Sequence, residues 1–301
     1  MAPSRPARRS PGSWSGHDRD RSSSGQPRPK KSLGQNFCVD PRLGSEVVAR
    51  LAPTTGDEIW ELGPGPGALT RLLVETGATV RAFEIDERWR PELETRFAGR
   101  ATFHWGDFLE LDPTPFVPAS GGFLACGNLP YYCATPMIRR LLALPRRPDR
   151  LVFVIQEEVA RKAIAQPGTS AYGFLSAQLQ LAAEVKMGSV FPPSSFRPVP
   201  KVSSAILELR PLALPANEIA RRQRALWLLS VMLRQRRKMA VNLLRRALPQ
   251  VEWQSLFEQV ALPAGCRGEA IPFATLLRLV DAVPADAWPP AYQAAEPDGS
   301  F

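Results

Sequence analysis

The residues best suited to chemistry are Asn128-Leu129-Pro130-Tyr131, which follow the apolar run Phe123-Leu124-Ala125-Cys126 and Gly127. The Asn128 side chain offers an acceptor. So does the Leu129 carbonyl, because the proline after it brings no N–H to compete for that region. Two such acceptors can hold a planar amino group by its hydrogens. The Tyr131 ring supplies a stacking face of the kind used on unstacked bases. Taken alone, the four residues also suit an ordinary Asn-Pro-type turn with a half-buried tyrosine.

A second constellation lies upstream. Ile59-Trp60-Glu61-Leu62 reads as a buried strand running into Gly63-Pro64-Gly65-Pro66-Gly67, with a helical pattern over 68–74. A glycine-rich strand-to-helix turn lets the backbone approach a ligand and presents free N–H groups. The next strand, 78–83, ends in Glu84 with Asp86 close behind. An acid at that strand tip is placed to accept from ribose hydroxyls. Asp107 follows a third short strand, Thr102-Phe103-His104, where it or its amide neighbour can meet an adenine edge. These features point to a nucleoside cofactor in a doubly wound α/β sheet. A structural turn with a surface glutamate, and Asp107 as a helix cap, are the plainer alternatives. Gly63-x-Gly65-x-x-Ala68 also satisfies the dinucleotide fingerprint, so the turn does not exclude NAD.

The elements that must position these residues can be read along the chain. Residues 1–29 are rich in Ser, Pro, Gly and Arg and are expected to be a disordered basic arm. Leu43, Val47, Val48 and Leu51 recur at helical spacing. Thr135 and Pro136 read as the N-cap and first-turn pair of a helix reaching residue 144. A fifth strand at 151–155, helices to 165 and over 172–183, and strands at 185–190 and 202–209 follow. Between the last two strands lies an extended segment, Phe191-Pro192-Pro193-Ser194-Ser195-Phe196-Arg197-Pro198-Val199-Pro200-Lys201. It suits either a rigid connector or the lining of a base pocket, with Phe196, Arg197 and Lys201 as candidate RNA contacts. Leu212 to Pro215 reads as a domain boundary, followed only by helices: 218–231, 232–247, 251–259 and 271–281. The expected domains are 30–212 and 213–282, with a flexible tail at 283–301.

Charge and composition narrow the class. Of the 301 residues 44% are hydrophobic, which fits a globular chain. The net charge of +9 is unevenly spread. Residues 1–30 carry seven Lys/Arg against two acids, and residues 218–246 carry nine against one. The second block includes Arg234, Arg236, Arg237 and Lys238, expected on a helix; Lys30 closes the first and Lys31 follows it. Two basic blocks flanking a nearly neutral body are the footprint of a polyanion ligand. No apolar run reaches the roughly 18 residues of a membrane span, and no secretory h-region opens the chain. Four scattered cysteines and two histidines make a zinc site improbable and suit a reducing cytoplasm. A monomer is the default.

Taken in order, these motifs resemble the ribosomal RNA adenine N6-dimethyltransferase family, in its small-subunit branch. The resemblance covers about 30–244. It rests on Leu33-Gly34-Gln35-Asn36-Phe37, Glu61-Leu62-Gly63-Pro64-Gly65, Phe83-Glu84-Ile85-Asp86, Gly106-Asp107 and Asn128-Leu129-Pro130-Tyr131. Gln156-Glu157-Glu158-Val159, Tyr172-Gly173-x-Leu175-Ser176, the Phe191–Phe196 segment, Pro200-Lys201-Val202 and Arg236-Arg237-Lys238 before Asn242-Leu243-Leu244 extend it. It implies a Rossmann-like class I methyltransferase domain with a seven-stranded, mostly parallel sheet, followed by a small all-α domain. It also implies S-adenosylmethionine as donor. By match, Asn36 and Cys38 flank the donor's methionine end, Gly63 and Gly65 form the turn beneath it, Glu84 meets the ribose and Asp107 the adenine. Asn128, Leu129, Pro130 and Tyr131 hold the target amine. The implied target is two adjacent adenosines in a hairpin loop near the 3′ end of small-subunit rRNA, in the immature subunit, each methylated twice.

The chain departs from the family at several places. Tyr132-Cys133-Ala134 stands where Asn, a β-branched residue and Ser are usual, which bears on the fit of the target loop. Cys38 replaces the commoner Leu, Ser203 the usual Asp, and the basic arm is an addition. Large-subunit methyltransferases conferring macrolide resistance share the front motifs. A non-catalytic small-subunit assembly factor is the alternative of another class.

Overall fold

The computed structural model describes residues 27–30 and 33–292. Among the described residues there are nine strands: β1 (Phe37–Cys38), β2 (Glu58–Leu62), β3 (Thr79–Glu84), β4 (Ala101–Trp105), β5 (Phe123–Asn128), β6 (Arg150–Gln156), β7 (Ala183–Phe191), β8 (Phe196–Arg197) and β9 (Ser204–Pro211). Helices of the sheet region are α1 (Pro41–Leu51), α2 (Ala68–Val74), α3 (Arg90–Arg96), α4 (Ala134–Leu142), α5 (Glu157–Ala163) and α6 (Phe174–Ala182). Four more follow: α7 (Ala216–Leu233), α8 (Ala240–Ala247), α9 (Trp253–Gln259) and α10 (Phe273–Ala282).

Seven strands form one sheet in the order β4-β3-β2-β5-β6-β9-β7. β2 to β6 pair in parallel, and β9 runs antiparallel to both neighbours. The central strands are near-continuous apolar runs because both faces are covered. Along β6, Leu151, Phe153 and Ile155 enter one core with Ile138, Leu141 and Leu142 of α4. The intervening Val152 and Val154 enter another with Leu43, Val47 and Leu51 of α1. The strand order reverses between β2 and β5, so the crevice outside their carboxyl ends is where an open α/β sheet receives a ligand.

A separate two-stranded sheet pairs β1 with β8, Phe37 opposite Arg197 and Cys38 opposite Phe196. It ties the segment around Asn36 to the proline-rich segment, a long-range pairing that two-residue strands do not announce in sequence. Val39 N–H donates to the Ser195 carbonyl at 2.8 Å and extends the tie. α1 then begins at once. Asp40 caps it by accepting from Arg42 N–H at 3.0 Å, and Pro41 opens it.

Three expectations are corrected. Thr135 is not an N-cap: α4 starts at Ala134, with Cys133 at the cap and Thr135 and Pro136 inside the first turn. Arg234, Arg236, Arg237 and Lys238 are not on a helix, because α7 ends at Leu233 and α8 begins at Ala240; they occupy the exposed turn between them. Phe196 is 1% exposed and packs with Leu43, Val47, Phe191 and Ile206, so its ring is core and offers no face to RNA. Lys31, most of the amino-terminal arm and the last nine residues of the tail lie outside the described residues.

Candidate active site

Because β2 to β6 are parallel, their carboxyl ends open on one edge, and the sequence motifs meet there around a cavity of about 350 Å³. That is the size of a small-molecule site. Asn36, Cys38, Gly63, Gly65, Glu84, Asp107, Asn128, Leu129, Pro130 and Tyr131 all line it.

The floor is the turn between β2 and α2. Gly63, Gly65 and Gly67 have φ of 70°, 52° and 77°, conformations that favour glycine. A Cβ on Gly63 would meet nothing within 4 Å, so the backbone there borders open space. At Gly65 the reason is different: a Cβ would come within 2.7 Å of Phe37 Cε1. The turn is held to β3 by Glu84, whose Oε2 accepts from Gly65 N–H at 2.9 Å and whose Oε1 accepts from Asp86 N–H at 2.8 Å. Burial pushes the Glu84 carboxyl above its ordinary value, and backbone N–H bonds from Asp86, Gly65 and Ile85 oppose that shift. Beneath it Glu61, 1% exposed, accepts from Thr70 Oγ1 at 2.6 Å. Its burial pushes the carboxyl up to about 8.

One strand further out, Asp107 follows Gly106 and accepts from Leu109 N–H through Oδ1 at 2.8 Å, turning the chain into the site. On the other side the segment before β1 is strapped across the cavity. Gln35 Nε2 donates to Asp86 Oδ2 at 3.0 Å, and Asn36 Nδ2 donates to the Gly34 carbonyl at 3.1 Å. The Cys38 thiol is pushed up to about 11 by burial, so it is a neutral, soft contact in this wall.

At the end of β5, Asn128 Nδ2 donates to the Asn36 carbonyl at 2.8 Å. A carbonyl only accepts, so the amide nitrogen is fixed on that side and Oδ1 is turned the other way. Leu129, 2% exposed, is anchored by its N–H to the Val154 carbonyl at 3.1 Å. The Pro130 carbonyl accepts from Cys133 and Ala134 N–H at the start of α4. The Tyr131 hydroxyl meets Ser204 Oγ at 2.8 Å, which fixes the ring from the first residue of β9. Sequence reasoning missed Ser204, because no local pattern marks a serine 73 residues away as a partner of Tyr131.

Among the described residues no group of three or more His, Cys, Asp or Glu side chains could hold a metal ion, and no helix is long and apolar enough to cross a membrane.

The seven-stranded sheet with β9 alone reversed, together with a glycine turn and acids at successive strand tips, defines a class I S-adenosylmethionine-dependent methyltransferase. The cavity fits that donor by its own geometry: an open glycine floor, the Glu84 carboxyl at the tip of β3 and a carboxylate one strand beyond. The family model of ribosomal RNA adenine dimethylases matches residues 27–271, and the chain belongs to that family. It is 34% identical over 263 residues to the ribosomal RNA small subunit methyltransferase A of Aromatoleum aromaticum, covering 86% of this chain and 95% of that one. It is 38% identical over 257 residues to the protein of the same description from Phenylobacterium zucineum, covering 84% and 87%. Among solved structures, a dimethyladenosine transferase from Plasmodium falciparum superposes with a TM-score of 0.69 at 19% identity, over 81% of this chain and 95% of that one. The 23S rRNA methyltransferase ErmE superposes with a TM-score of 0.65 at 25% identity, over 82% and 98%. The dinucleotide reading of the glycine turn is set aside by this family membership.

Proposed function

We propose that the protein dimethylates N6 of two adjacent adenosines in a hairpin loop near the 3′ end of small-subunit ribosomal RNA, within the immature subunit. The observation that carries the reading is the orientation of Asn128. Its nitrogen is committed to the Asn36 carbonyl, and its oxygen is left for an incoming N–H. The small-subunit target is supported by the two relatives, whose lengths the chain covers almost completely.

When bound, S-adenosylmethionine supplies a methyl group already activated on a sulfonium. The chain's task is to prepare the amine. The N6 lone pair of adenine is delocalised into the ring, which makes it a poor nucleophile. Asn128 Oδ1 and the Leu129 carbonyl accept the two N–H bonds, favour a pyramidal nitrogen and aim its lone pair into the cavity. The base leaves its stack to reach this point, and the Tyr131 ring offsets about 1–3 kcal/mol of that cost. After transfer the N6 proton passes to water, so no strong side-chain base is needed. Asn36, Cys38, Gly63, Gly65, Glu84 and Asp107 are assigned to the donor, Glu84 toward ribose and Asp107 toward the purine.

Lys30, Arg197, Lys201, Arg234, Arg236, Arg237 and Lys238 are exposed and are assigned to the RNA backbone, with residues 213–282 as the helical RNA-binding part. Arg236 also pairs with Glu269 at 3.4 Å, so its neighbours Arg237 and Lys238 are the more available cations. A monomer in the cytoplasm completes the proposal.

The test gives purified protein labelled S-adenosylmethionine with either immature small subunits or large-subunit rRNA, followed by nucleoside analysis. Dimethyladenosine in small-subunit RNA is expected. Product only in large-subunit RNA would transfer the assignment to the macrolide-resistance branch, and tight particle binding without transfer would leave an assembly factor.

A further inference from the structure

Tyr132 is the residue of the active-site turn that the proposed chemistry leaves unused. It is 62% exposed, a large share for an aromatic ring, yet it lines the same cavity as Asn128 and Tyr131. Its ring edge lies against the strap. A Cβ on Gly34 would stand 3.3 Å from Tyr132 Cδ1 and 3.4 Å from Cε1. Gly34 itself has φ of 58°, so glycine suits both its backbone and the approach of the ring. Glu84, Asp107 and Cys133 line the same cavity. The ring therefore stands against the strap at the edge of the cavity, lining the cavity while most of the residue is exposed to solvent.

Tyr131 and Tyr132 stand on opposite duties. Tyr131 is fixed by Ser204 on the β9 side, beside the acceptors for the target amine. Tyr132 stands against Gly34 of the strap, at the cavity that Glu84 and Asp107 also line and to which the donor is assigned. We propose that Tyr132 is a roof over the donor pocket, an aromatic wall that covers the bound donor and slows its exchange with solvent. This rests on the proposed assignment of Glu84 and Asp107 to the donor. An asparagine at this position would have no ring with which to cover the pocket. Because most of the ring is exposed, removing it leaves the core intact.

The experiment measures binding of S-adenosylhomocysteine, which cannot react, by calorimetry, and its release rate by stopped-flow displacement. Wild type, Tyr132→Phe, Tyr132→Asn and Tyr132→Ala are compared, with RNA affinity measured in parallel and thermal unfolding as the check on folding. Tyr132→Ala and Tyr132→Asn are expected to weaken nucleoside binding roughly fivefold or more, mostly through faster release, while Tyr132→Phe keeps the wild-type value. RNA affinity is expected to be unchanged. Unchanged nucleoside affinity in the alanine variant overturns the roof, as does a loss confined to RNA, which would make Tyr132 a contact to the target loop. Failure of the wild type to bind S-adenosylhomocysteine would instead overturn the donor assignment itself.

Discussion

Single side chains set the chemistry of this site. Asn128 makes one bond inward, to the Asn36 carbonyl, and keeps one acceptor outward. Asn128→Ala is expected to lower transfer at least a hundredfold, while S-adenosylhomocysteine binds within about threefold of wild type. Methyl-transfer assays and calorimetry read the two effects separately, and unchanged turnover would remove Asn128 from the mechanism. Glu61 makes a prediction of another kind. Its carboxyl rises from 4.5 to about 8 on folding because burial penalises the charged form. Between those values the folded state binds more protons than the unfolded chain, so stability falls as pH rises from about 4.5 through 8. Thermal unfolding of the ligand-free protein over this range is expected to show that decline, and Glu61→Gln to flatten it. An equal slope in both proteins would place the cause elsewhere.

Elements bring those side chains together, and here the sequence was unevenly informative. Gly65 shows how closely the pieces fit: a Cβ there would come within 2.7 Å of Phe37 of β1, in a backbone conformation costly to other residues. Gly65→Ala is expected to destabilise by about 2–4 kcal/mol, from overpacking and the left-handed φ together. Urea unfolding measures it, and a loss below about 0.5 kcal/mol would mean that Phe37 moves aside freely. The parallel strands and their acidic tips were legible because runs such as Leu151-Val152-Phe153-Val154-Ile155 declare burial on both faces. The β1–β8 pairing was not, since its register comes from tertiary contacts between residues 37–38 and 196–197. Phe196 misled for the same reason: a proline-rich neighbourhood suggests an exposed segment, whereas the pairing with Cys38 draws the ring into the core. The basic run 234–238 also misled, because Arg, Gln and Lys have high helix propensity and nothing local signals that α7 stops at Leu233.

At the scale of the whole molecule, charge and packing make separate predictions. RNA affinity is expected to fall steeply with salt, and less steeply once residues 1–29 are deleted. Replacing both Arg237 and Lys238 by alanine is expected to reduce the slope of log affinity against log salt by about 1.4–1.8. Filter binding across a salt series reads both effects, and unchanged slopes would make these cations bystanders. The helices that carry this turn pack against the sheet region. Ala225, Leu228, Leu229 and Met232 of α7 and Leu276 and Leu279 of α10 share one continuous apolar cluster with Leu179 and Leu181 of α6 and Leu207 and Leu209 of β9. A chain cut at residue 212 would bare that seam, so the methyltransferase half is not expected to survive as a soluble fragment. Calorimetry of the intact protein is expected to record a single heat-absorption peak. Enzyme and RNA-holding surface would then melt together, neither outliving the other as temperature rises.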